Sequence, residues 1–484
     1  MPGRKPNILF LQTDQQRMDA LGCYGNPIVQ TPNMDRLAEQ GVRFANAFTC
    51  CAVCTPARGA LLSGRYPHRT GMVCNPELPS GISSRLCEYT VPVRPFSEGL
   101  HRAGYACHHV GKWHIGSWFD SKPSDYGFTG VFYPGYGYPR EHKHYLRYLR
   151  TFGVGGFELK APPEGTAARR YFNLHDVPVE ASIPGYLASQ TMDALRKLGK
   201  GGQPFFLACD FWGPHIPVNI PAEYLDMYKP DDMLLPPSFR NIADNRPEIV
   251  LKAHKLWGGE ALSEDMVRAI VARYYGYVTL IDHQIGCVLE CADSLGLLDN
   301  TVVIFTADHG STLGTHGLQD KGLNMYDDVY RIPMIVSGPV VRKKGVVVDE
   351  IVSHIDLAPT FLSIAGARAP RSYDGRTLMP YLRGRLDHVI RDEMVMQGFG
   401  HQVPFPQRAV RDRRFKYIFN ATAKDEFYDI VRDPHETANL IDIVDPDLLG
   451  RYQRRLQVWM EENDDPLRRY YAGTTFTRPY TVSS

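Results

Sequence analysis

The first regular segment of the chain is Asn7-Ile8-Leu9-Phe10-Leu11-Gln12-Thr13, and Asp14 follows it directly. A short apolar run of this kind predicts a strand that is buried on both faces, as in a parallel sheet covered by helices. A second such strand is predicted at residues 301–306, which are rich in β-branched side chains and lead to Asp308. Both predicted strands therefore have an acidic residue at their carboxyl ends.

Further predicted strands alternate with predicted helices along the chain. The other strands are predicted at residues 42–48, 105–110, 204–211 and 333–337. Helices are predicted at residues 32–40, 58–63, 95–103, 186–198, 263–295 and 356–365. This alternation predicts an α/β fold, in which a large, mostly parallel sheet is flanked by helices on both faces.

Four polar side chains lie just after predicted strands: Asp14, Lys112, His215 and Asp308. Ligands of parallel sheets bind outside the carboxyl ends of the strands. We therefore expect these four side chains to converge at one edge of the sheet.

The composition limits the class of protein. The 484 residues are 43% hydrophobic and 22% charged, which excludes disordered and fibrous chains. The net charge of +1 provides no overall field for nucleic acid or an anionic membrane, so neither is expected as a partner. No targeting segment or membrane-spanning run is recognisable, which predicts a cytoplasmic protein whose ten cysteines are mostly reduced.

Three units are predicted along the chain. Residues 1–380 form the α/β domain, residues 381–465 a smaller C-terminal α+β domain, and residues 466–484 a C-terminal tail. Residues 133–166, rich in Gly, Pro, Tyr and His, are predicted to form an insertion loop. The tail is interpreted either as a loose surface segment or as one that wraps the body of the protein or a neighbouring copy, in which case it would support a homo-oligomer.

The densest chemical motif is Cys54-Thr55-Pro56-Ala57-Arg58. A cysteine before a helix is a candidate for a lowered thiol pKa, because helix N-termini favour anions. Cys51 and Cys54 also form a Cys-x-x-Cys pair, which leaves a non-catalytic redox or metal-binding protein as an alternative. The second pair that a four-cysteine zinc site requires is missing.

This motif resembles the Cys-x-Pro-x-Arg signature of the type I, formylglycine-dependent sulfatases of the alkaline phosphatase superfamily. Further segments resemble that family in the same order along the chain. They are residues 7–14, 61–65, 111–116, 213–215, 308–310, 321–333, 354–359 and 426–439. Jointly they are highly specific, although each is weak alone. The resemblance implies an alkaline-phosphatase-like mixed sheet with a C-terminal α+β domain.

The resemblance also implies the chemistry. A formylglycine-generating enzyme would oxidise Cys54, and the hydrated aldehyde would attack sulfur with one oxygen and expel sulfate through the other. One divalent metal would be bound by Asp14, Gln15, Cys54, Asp308 and His309. Arg58 would orient the formylglycine oxygens, Lys112 and Lys321 would hold the sulfate, and His114 would accept a proton. His215 is expected to be the acid near the leaving oxygen, with Lys321 as the alternative.

Two positions depart from the commonest family pattern. Many sulfatases carry Asp where this chain has Gln15, and Asn where it has His309. Ca²⁺ is the expected metal and Mg²⁺ is an alternative, while these neutral ligands weaken the preference for a hard cation and make Mn²⁺ or another transition ion plausible beside Ca²⁺. Similar substitutions occur in the related phosphonate monoester hydrolases, so hydrolysis of a phosphonate monoester or phosphodiester is the alternative function. The intact Gly111-Lys112-Trp113-His114 segment favours a sulfatase.

The predicted substrate is a small aryl or carbohydrate sulfate ester. Candidate contacts to its alcohol come from variable regions. They are Trp118, Tyr136, Tyr138, His142, His144 and Tyr145 in the insertion loop, Arg169 and Arg170, and His401, Gln402 and Arg408 in the C-terminal domain. No spacing rule selects among them.

Overall fold

The computed structural model describes residues 4–76, 86–117, 121–133, 138–240, 245–256, 259–401 and 403–476. The described strands are β1 (Asn7–Thr13), β2 (Gly41–Phe48), β3 (Ala106–Gly111), β4 (Thr129–Gly130), β5 (Phe172–Leu174), β6 (Phe205–Asp210), β7 (Val218–Ile220), β8 (Thr301–Ala307), β9 (Met334–Ser337), β10 (Val346–Ser353), β11 (Met394–His401), β12 (Val403–Arg411), β13 (Phe415–Asn420) and β14 (Glu426–Asp429). The described α-helices are α1 (Pro32–Glu39), α2 (Cys54–Ser63), α3 (Pro67–Thr70), α4 (Phe96–Arg102), α5 (Lys143–Thr151), α6 (Ile183–Lys200), α7 (Ala222–Leu225), α8 (Glu248–Leu256), α9 (Glu264–Ser294), α10 (Asp327–Tyr330), α11 (Leu357–Ile364), α12 (Met379–Leu382), α13 (Pro446–Glu462) and α14 (Arg468–Thr475).

Eight of these strands form one sheet in the order β10-β2-β9-β8-β1-β6-β3-β4. Strand β9 runs antiparallel to both of its neighbours, and all other neighbours are parallel. The predicted large, mixed and mostly parallel sheet is therefore confirmed. Its central strand β1 pairs with β6 on one side and with β8 on the other.

The apolar run of β1 is continuous because helices cover both faces of the sheet. Leu9 and Leu11 belong to a core cluster that includes side chains of α6 and α9. Ile8 and Phe10 belong to a second cluster, which includes side chains of α4 and α11. Successive strand residues face opposite sides, so each layer takes alternate residues of the same run.

A second sheet lies in the C-terminal part of the chain. Strands β11 to β14 form an antiparallel sheet in sequential order, and α13 packs against β12 and β13. This confirms the predicted smaller α+β region, whereas the unit boundaries at residues 380 and 465 stay a prediction. Residues 468–475 of the predicted tail form α14, in which Tyr471 is buried and its hydroxyl donates to the carbonyl of Gln453, so this segment packs on the body of the protein and is not loose.

Two further expectations need correction. The insertion at residues 133–166 contains α5, whose Tyr145 and Leu149 are fully buried, so Tyr145 is a core residue and not a wall of the substrate site. Arg408 is also fully buried, and its Nε donates to Asp465 at 2.7 Å, so it serves the C-terminal fold. Trp118, Tyr136 and Gln402 lie outside the described residues.

Among the described residues, no helix combines the length and the apolar character that crossing a bilayer requires.

Candidate active site

The carboxyl ends of the central strands bring charged side chains together. Asp14 follows β1, Asp210 ends β6, and Asp308 follows β8. Lys112 follows β3, and its backbone N–H donates to the carbonyl of Asp210 at 2.9 Å. This close approach requires Gly111, which has a φ of 101° and where a Cβ would lie 2.0 Å from that carbonyl oxygen.

Helix α2 supplies the cysteine and the arginine. It begins at Cys54, four residues before the predicted start, and all ten of its residues are buried. Cys54 and Arg58 are one turn apart, a spacing that places both side chains on the same face of the helix. The chain therefore presents a thiol at the N-terminal end of α2 and a guanidinium directly behind it.

Arg58 connects three buried carboxylates. Its Nε donates to Asp308 at 3.0 Å, its Nη1 to Asp210 at 2.9 Å, and its Nη2 to Asp14 at 3.0 Å. Burial alone would lower the pKa of Arg58, but the three carboxylates raise it above its ordinary value. The guanidinium therefore stays charged and fixes the side chains at the ends of β1, β6 and β8.

Asp14 remains an anion although it is fully buried. Its Oδ2 accepts a hydrogen bond from Lys112 Nζ at 2.7 Å as well as the one from Arg58. Burial raises the pKa of Asp14, but the nearby charges of Lys112 and Arg58 outweigh burial and lower it well below its usual range. An ionised carboxylate of this kind is a ligand suited to a hard divalent cation.

Four buried side chains form a group that could hold a metal ion. One ligand atom from each of Asp14, Cys54, Asp308 and His309 lies within 4.8 Å of all the others. Cys54 Sγ is 3.1 Å from His309 Nε2 and 3.8 Å from Asp14 Oδ1. The donor set of carboxylates and imidazole fits a divalent ion, and we call these four residues the metal cluster.

The orientation of His309 suits this role. Its Nδ1 lies 2.8 Å from the carbonyl oxygen of Gly310, which can only accept, so Nδ1 carries the hydrogen. Burial lowers the pKa of His309, although Asp308 opposes this effect. The neutral ring then directs the lone pair of Nε2 towards the metal cluster.

Gln15, His215 and Lys321 lie beside the metal cluster. Lys321 Nζ donates to Gln15 Oε1 at 3.0 Å and to His215 Nε2 at 2.6 Å. His215 Nδ1 is 2.6 Å from the carbonyl of Ile216, so Nδ1 carries the hydrogen and Nε2 accepts. Burial and the charge of Lys321 lower the pKa of His215 well below its usual value. The proton at this position is therefore held by Lys321.

His114, the remaining predicted site residue, lies two residues after Lys112 and is 5% exposed. Its φ of 49° is in the left-handed region, which is uncommon for a non-glycine residue and is found at active sites. The structure thus places all ten predicted site residues in the loops at the carboxyl edge of the sheet or at the start of α2.

Three charged or ionisable residues of this site were not predicted from the sequence: Asp210, His109 and Asp320. Asp210 and its partner His109, whose Nε2 lies 3.1 Å from Asp210 Oδ2, are adjacent to Arg58. Asp320 Oδ1 accepts a hydrogen bond from Gln15 Nε2, and its Oδ2 lies 3.6 Å from Nε2 of His401, a candidate contact predicted from the sequence. Asp210 lies at the carboxyl end of a predicted strand, and Asp14 and Asp308 lie just after theirs, so the same pattern could have found it.

Side-chain exposure shows where the site opens. Asp14, Lys112, Asp308 and His309 are fully buried, whereas the side chains of His215, His401 and Asp320 are 17%, 12% and 22% exposed. The solvent-facing side is therefore formed by the loops after β6 and β8 together with the C-terminal sheet.

The redox alternative for the Cys-x-x-Cys pair fits poorly. Cys51 is fully buried, and burial raises the pKa of its thiol to about 12. A protonated thiol is a poor nucleophile and metal ligand. The metal cluster contains Cys54 but not Cys51.

Comparisons with known proteins identify the family. The sulfatase family model matches residues 6–367, and the model for the C-terminal region of N-sulphoglucosamine sulphohydrolase matches residues 314–460. The uncharacterized sulfatase YidJ of Escherichia coli K12 is 30% identical, with 96% of this chain and 89% of YidJ covered. The arylsulfatase of Clostridium perfringens is 27% identical, with 99% of each chain covered.

A solved structure supports the same assignment at the level of the superfamily. The phosphonate monoester hydrolase of Agrobacterium radiobacter is 25% identical, with a TM-score of 0.78 over 95% of this chain and 96% of that chain. The family model covers most of this chain and includes every residue of the metal cluster. The chain therefore belongs to the sulfatase family of sulfuric ester hydrolases.

Proposed function

We propose that the protein hydrolyses the sulfate monoester of a small aryl or carbohydrate alcohol, using formylglycine made from Cys54 and one divalent cation. The observation that carries the proposal is the position of Cys54. It begins a buried helix, its Sγ lies within the metal cluster, and Arg58 is one turn behind it. Formylglycine supplies a hydrated aldehyde, whose two hydroxyl groups allow attack and release at one carbon.

The charges around Cys54 support a divalent cation and an anionic substrate. The carboxylates of Asp14, Asp210, Asp308 and Asp320 surround the cations Arg58, Lys112 and Lys321. This leaves one excess negative charge, which a divalent cation and a monoanionic ester would together neutralise. We propose Ca²⁺ as the first candidate because carboxylate oxygens dominate, with Mn²⁺ or Mg²⁺ as alternatives because Gln15 and His309 are neutral ligands.

The remaining side chains have separate proposed roles. Lys112 and Lys321 hold sulfuryl oxygens, where negative charge develops during the reaction. Arg58 keeps Asp14 and Asp308 in position. His114 accepts the proton that is released when sulfate leaves.

We propose Lys321 as the proton donor to the leaving oxygen, with His215 orienting it. Burial lowers the pKa of Lys321, but the carboxylates of Asp320 and Asp14 raise it above its ordinary value. His215 has no proton on the nitrogen that faces Lys321. This reverses the order of preference drawn from the sequence and is supported by the two hydrogen bonds of the His215 ring, which donates through Nδ1 to the carbonyl of Ile216 and accepts through Nε2 from Lys321.

A paired turnover assay tests the function. Protein co-produced with a formylglycine-generating enzyme is given an aryl sulfate and the matching aryl phosphonate monoester. Sulfate turnover is expected to dominate, and Lys112→Met should lower it about 100-fold, because one preorganised cationic donor is lost. Lys160→Met, which changes an exposed lysine paired with Asp176, serves as the control. Dominant phosphonate turnover would instead assign the alternative function, which the Agrobacterium relative favours.

The acid role of Lys321 has its own test. Lys321→Met removes a contact to the sulfuryl group and is therefore expected to slow both substrates, but an alkyl or sugar sulfate about 100-fold more than a nitrophenyl sulfate, because a good leaving group needs no proton. The ratio of the two kcat values measures this directly. Equal losses on both substrates would move the acid role away from Lys321.

The proposed partners follow from the same chemistry. They are a saccharide or other small sulfate ester and, during maturation, a formylglycine-generating enzyme. The N-acetylglucosamine-6-O-sulfatase of Bacteroides thetaiotaomicron, a relative with 25% identity, supports the saccharide class. A cytoplasmic location and a homo-oligomer formed through the C-terminal residues remain proposals from the sequence.

A further inference from the structure

We propose that Asp320 is a positioning residue that fixes the amide of Gln15 so that its oxygen, and not its nitrogen, faces the metal cluster. The inference rests on the proposed metal site and concerns a residue that the sequence analysis did not select. The side-chain amide of glutamine can be placed in two orientations, which exchange its oxygen and its NH₂ group. The two groups differ in hydrogen bonding, because the oxygen accepts and the NH₂ group donates. Only the oxygen can coordinate a cation.

The partners of the Gln15 amide resolve this ambiguity. Its Nε2 donates to Asp320 Oδ1 at 3.0 Å and to Ser311 Oγ at 3.1 Å. An ionised carboxylate only accepts hydrogen bonds, so Asp320 binds the NH₂ end of the amide. Gln15 Oε1 is thereby turned the other way, where it accepts from Lys321 Nζ at 3.0 Å.

The same carboxylate also holds Lys321. Asp320 Oδ1 lies 3.1 Å from Lys321 Nζ, and the same ammonium donates to Gln15 Oε1 at 3.0 Å and to His215 Nε2 at 2.6 Å. Asp320 therefore fixes one neutral ligand and one cation of the site through a single oxygen atom.

The backbones of both partners are fixed independently of the contact between their side chains. Gln15 has a φ of 61°, its N–H donates to Asp308 Oδ1, and its carbonyl accepts from the hydroxyl of Tyr274. Asp320 has a φ of 73°, and its carbonyl accepts from both the N–H and the hydroxyl of Thr312. Left-handed backbone at two non-glycine residues is sparsely populated and persists only when the surroundings determine it.

The outer oxygen of Asp320 faces the C-terminal sheet. His401, the last residue of β11, brings its Nε2 to 3.6 Å from Asp320 Oδ2. The close approach depends on Gly322, which has a φ of 93° and where a Cβ would lie 2.3 Å from the Cβ of His401. A series of polar contacts therefore connects the C-terminal sheet with the metal cluster. His401 lies beside Asp320, Asp320 accepts from Gln15, and the N–H of Gln15 donates to Asp308.

The test measures metal affinity rather than turnover. Partners behind metal ligands typically change affinity 10–100-fold when removed. Asp320→Asn keeps the shape of the side chain but offers an amide that can pair with either end of Gln15. We expect its dissociation constant for Ca²⁺, measured by competition with a chromophoric chelator, to rise about 10-fold or more.

Asp412→Asn is the matched control. Asp412 is a carboxylate of nearly equal exposure, 23% against 22%, and it is paired with Arg455 and Tyr452 in the C-terminal region. Its substitution is expected to leave the Ca²⁺ dissociation constant unchanged. His401→Ala removes only the contact to the outer oxygen of Asp320, so it should weaken Ca²⁺ binding less than Asp320→Asn does. If Asp320→Asn does not fold, His401→Ala provides the test in its place.

A double-mutant cycle separates positioning from a general charge effect. If Asp320 acts through Gln15, Asp320→Asn should weaken Ca²⁺ binding strongly in the wild type and little in a Gln15→Ala background. The inference would be overturned if the two substitutions raised the Ca²⁺ dissociation constant by independent factors that multiply in the double variant. It would also be overturned if Asp320→Asn bound Ca²⁺ as tightly as the wild type. Both results would leave the metal site intact. Absence of Ca²⁺ and Mn²⁺ binding by the wild type would overturn the metal site and the inference together.

Discussion

Cys54→Ala is expected to abolish the hydrolysis of sulfate esters while the protein remains folded. Cys54 is fully buried at the start of α2, and its replacement removes one sulfur atom without leaving a charge unpaired. The free energy of unfolding should therefore change by no more than about 1–2 kcal/mol. Turnover of an aryl sulfate and denaturant unfolding of the same preparation give both values.

Cys54→Ser sharpens this prediction. Serine keeps a hydroxyl at the same position but has no second hydroxyl on the same carbon, so it lacks the route by which sulfate is released. We expect no more than one equivalent of alcohol per protein molecule. Sustained turnover by either variant would contradict the role assigned to Cys54.

Arg58→Met is expected to cause the largest loss of stability. Arg58 is the shared partner of Asp14, Asp210 and Asp308, and its side chain is 3% exposed. Removing one partner of a buried ion pair leaves an uncompensated charge and costs about 3–5 kcal/mol. Denaturant unfolding without added metal measures the loss. Addition of Ca²⁺ should recover part of it, because two of the three carboxylates belong to the metal cluster.

Arg455→Met is the control for this experiment. Arg455 also pairs with two carboxylates, Glu393 and Asp412, but its side chain is 33% exposed. Ion pairs in contact with solvent contribute about 1 kcal/mol or less. A loss for Arg58→Met no larger than the loss for Arg455→Met would show that the three carboxylates do not depend on the guanidinium.

The charged residues at the carboxyl edge of the sheet could be predicted, because each follows a local pattern of an apolar strand and an acidic residue. Asp14 and Asp308 each follow a buried apolar strand, and parallel strands place such residues together at one edge. Asp210 obeys the same rule at the end of β6. The α/β architecture and the convergence of these charges thus follow from sequence periodicity.

The start of α2 was predicted too late, and local chemistry explains the observed start. Pro56 lies two residues after the observed start of the helix at Cys54 and two residues before the predicted start at residue 58. Proline is tolerated in the first turn of a helix, where its missing N–H would have no intrahelical acceptor. The helix therefore begins at Cys54 and includes Pro56 in that turn.

Contacts between distant segments could not be predicted from these patterns. Asp320 and His401 are 81 positions apart, and neither lies at the end of a predicted strand. Arg408 resembles a surface cation in sequence, yet Asp465 neutralises it in the interior. Tyr145 lies four residues before Leu149 in a segment rich in basic residues, which hides the apolar face of α5.

The most direct test of the central claim compares turnover with the chemical state of residue 54. Preparations made with different amounts of a formylglycine-generating enzyme are divided, and mass spectrometry of the peptide containing Cys54 gives the fraction converted to formylglycine. The account predicts that kcat for an aryl sulfate is proportional to that fraction and falls to zero with it. Full turnover by protein that retains the Cys54 thiol would contradict the account.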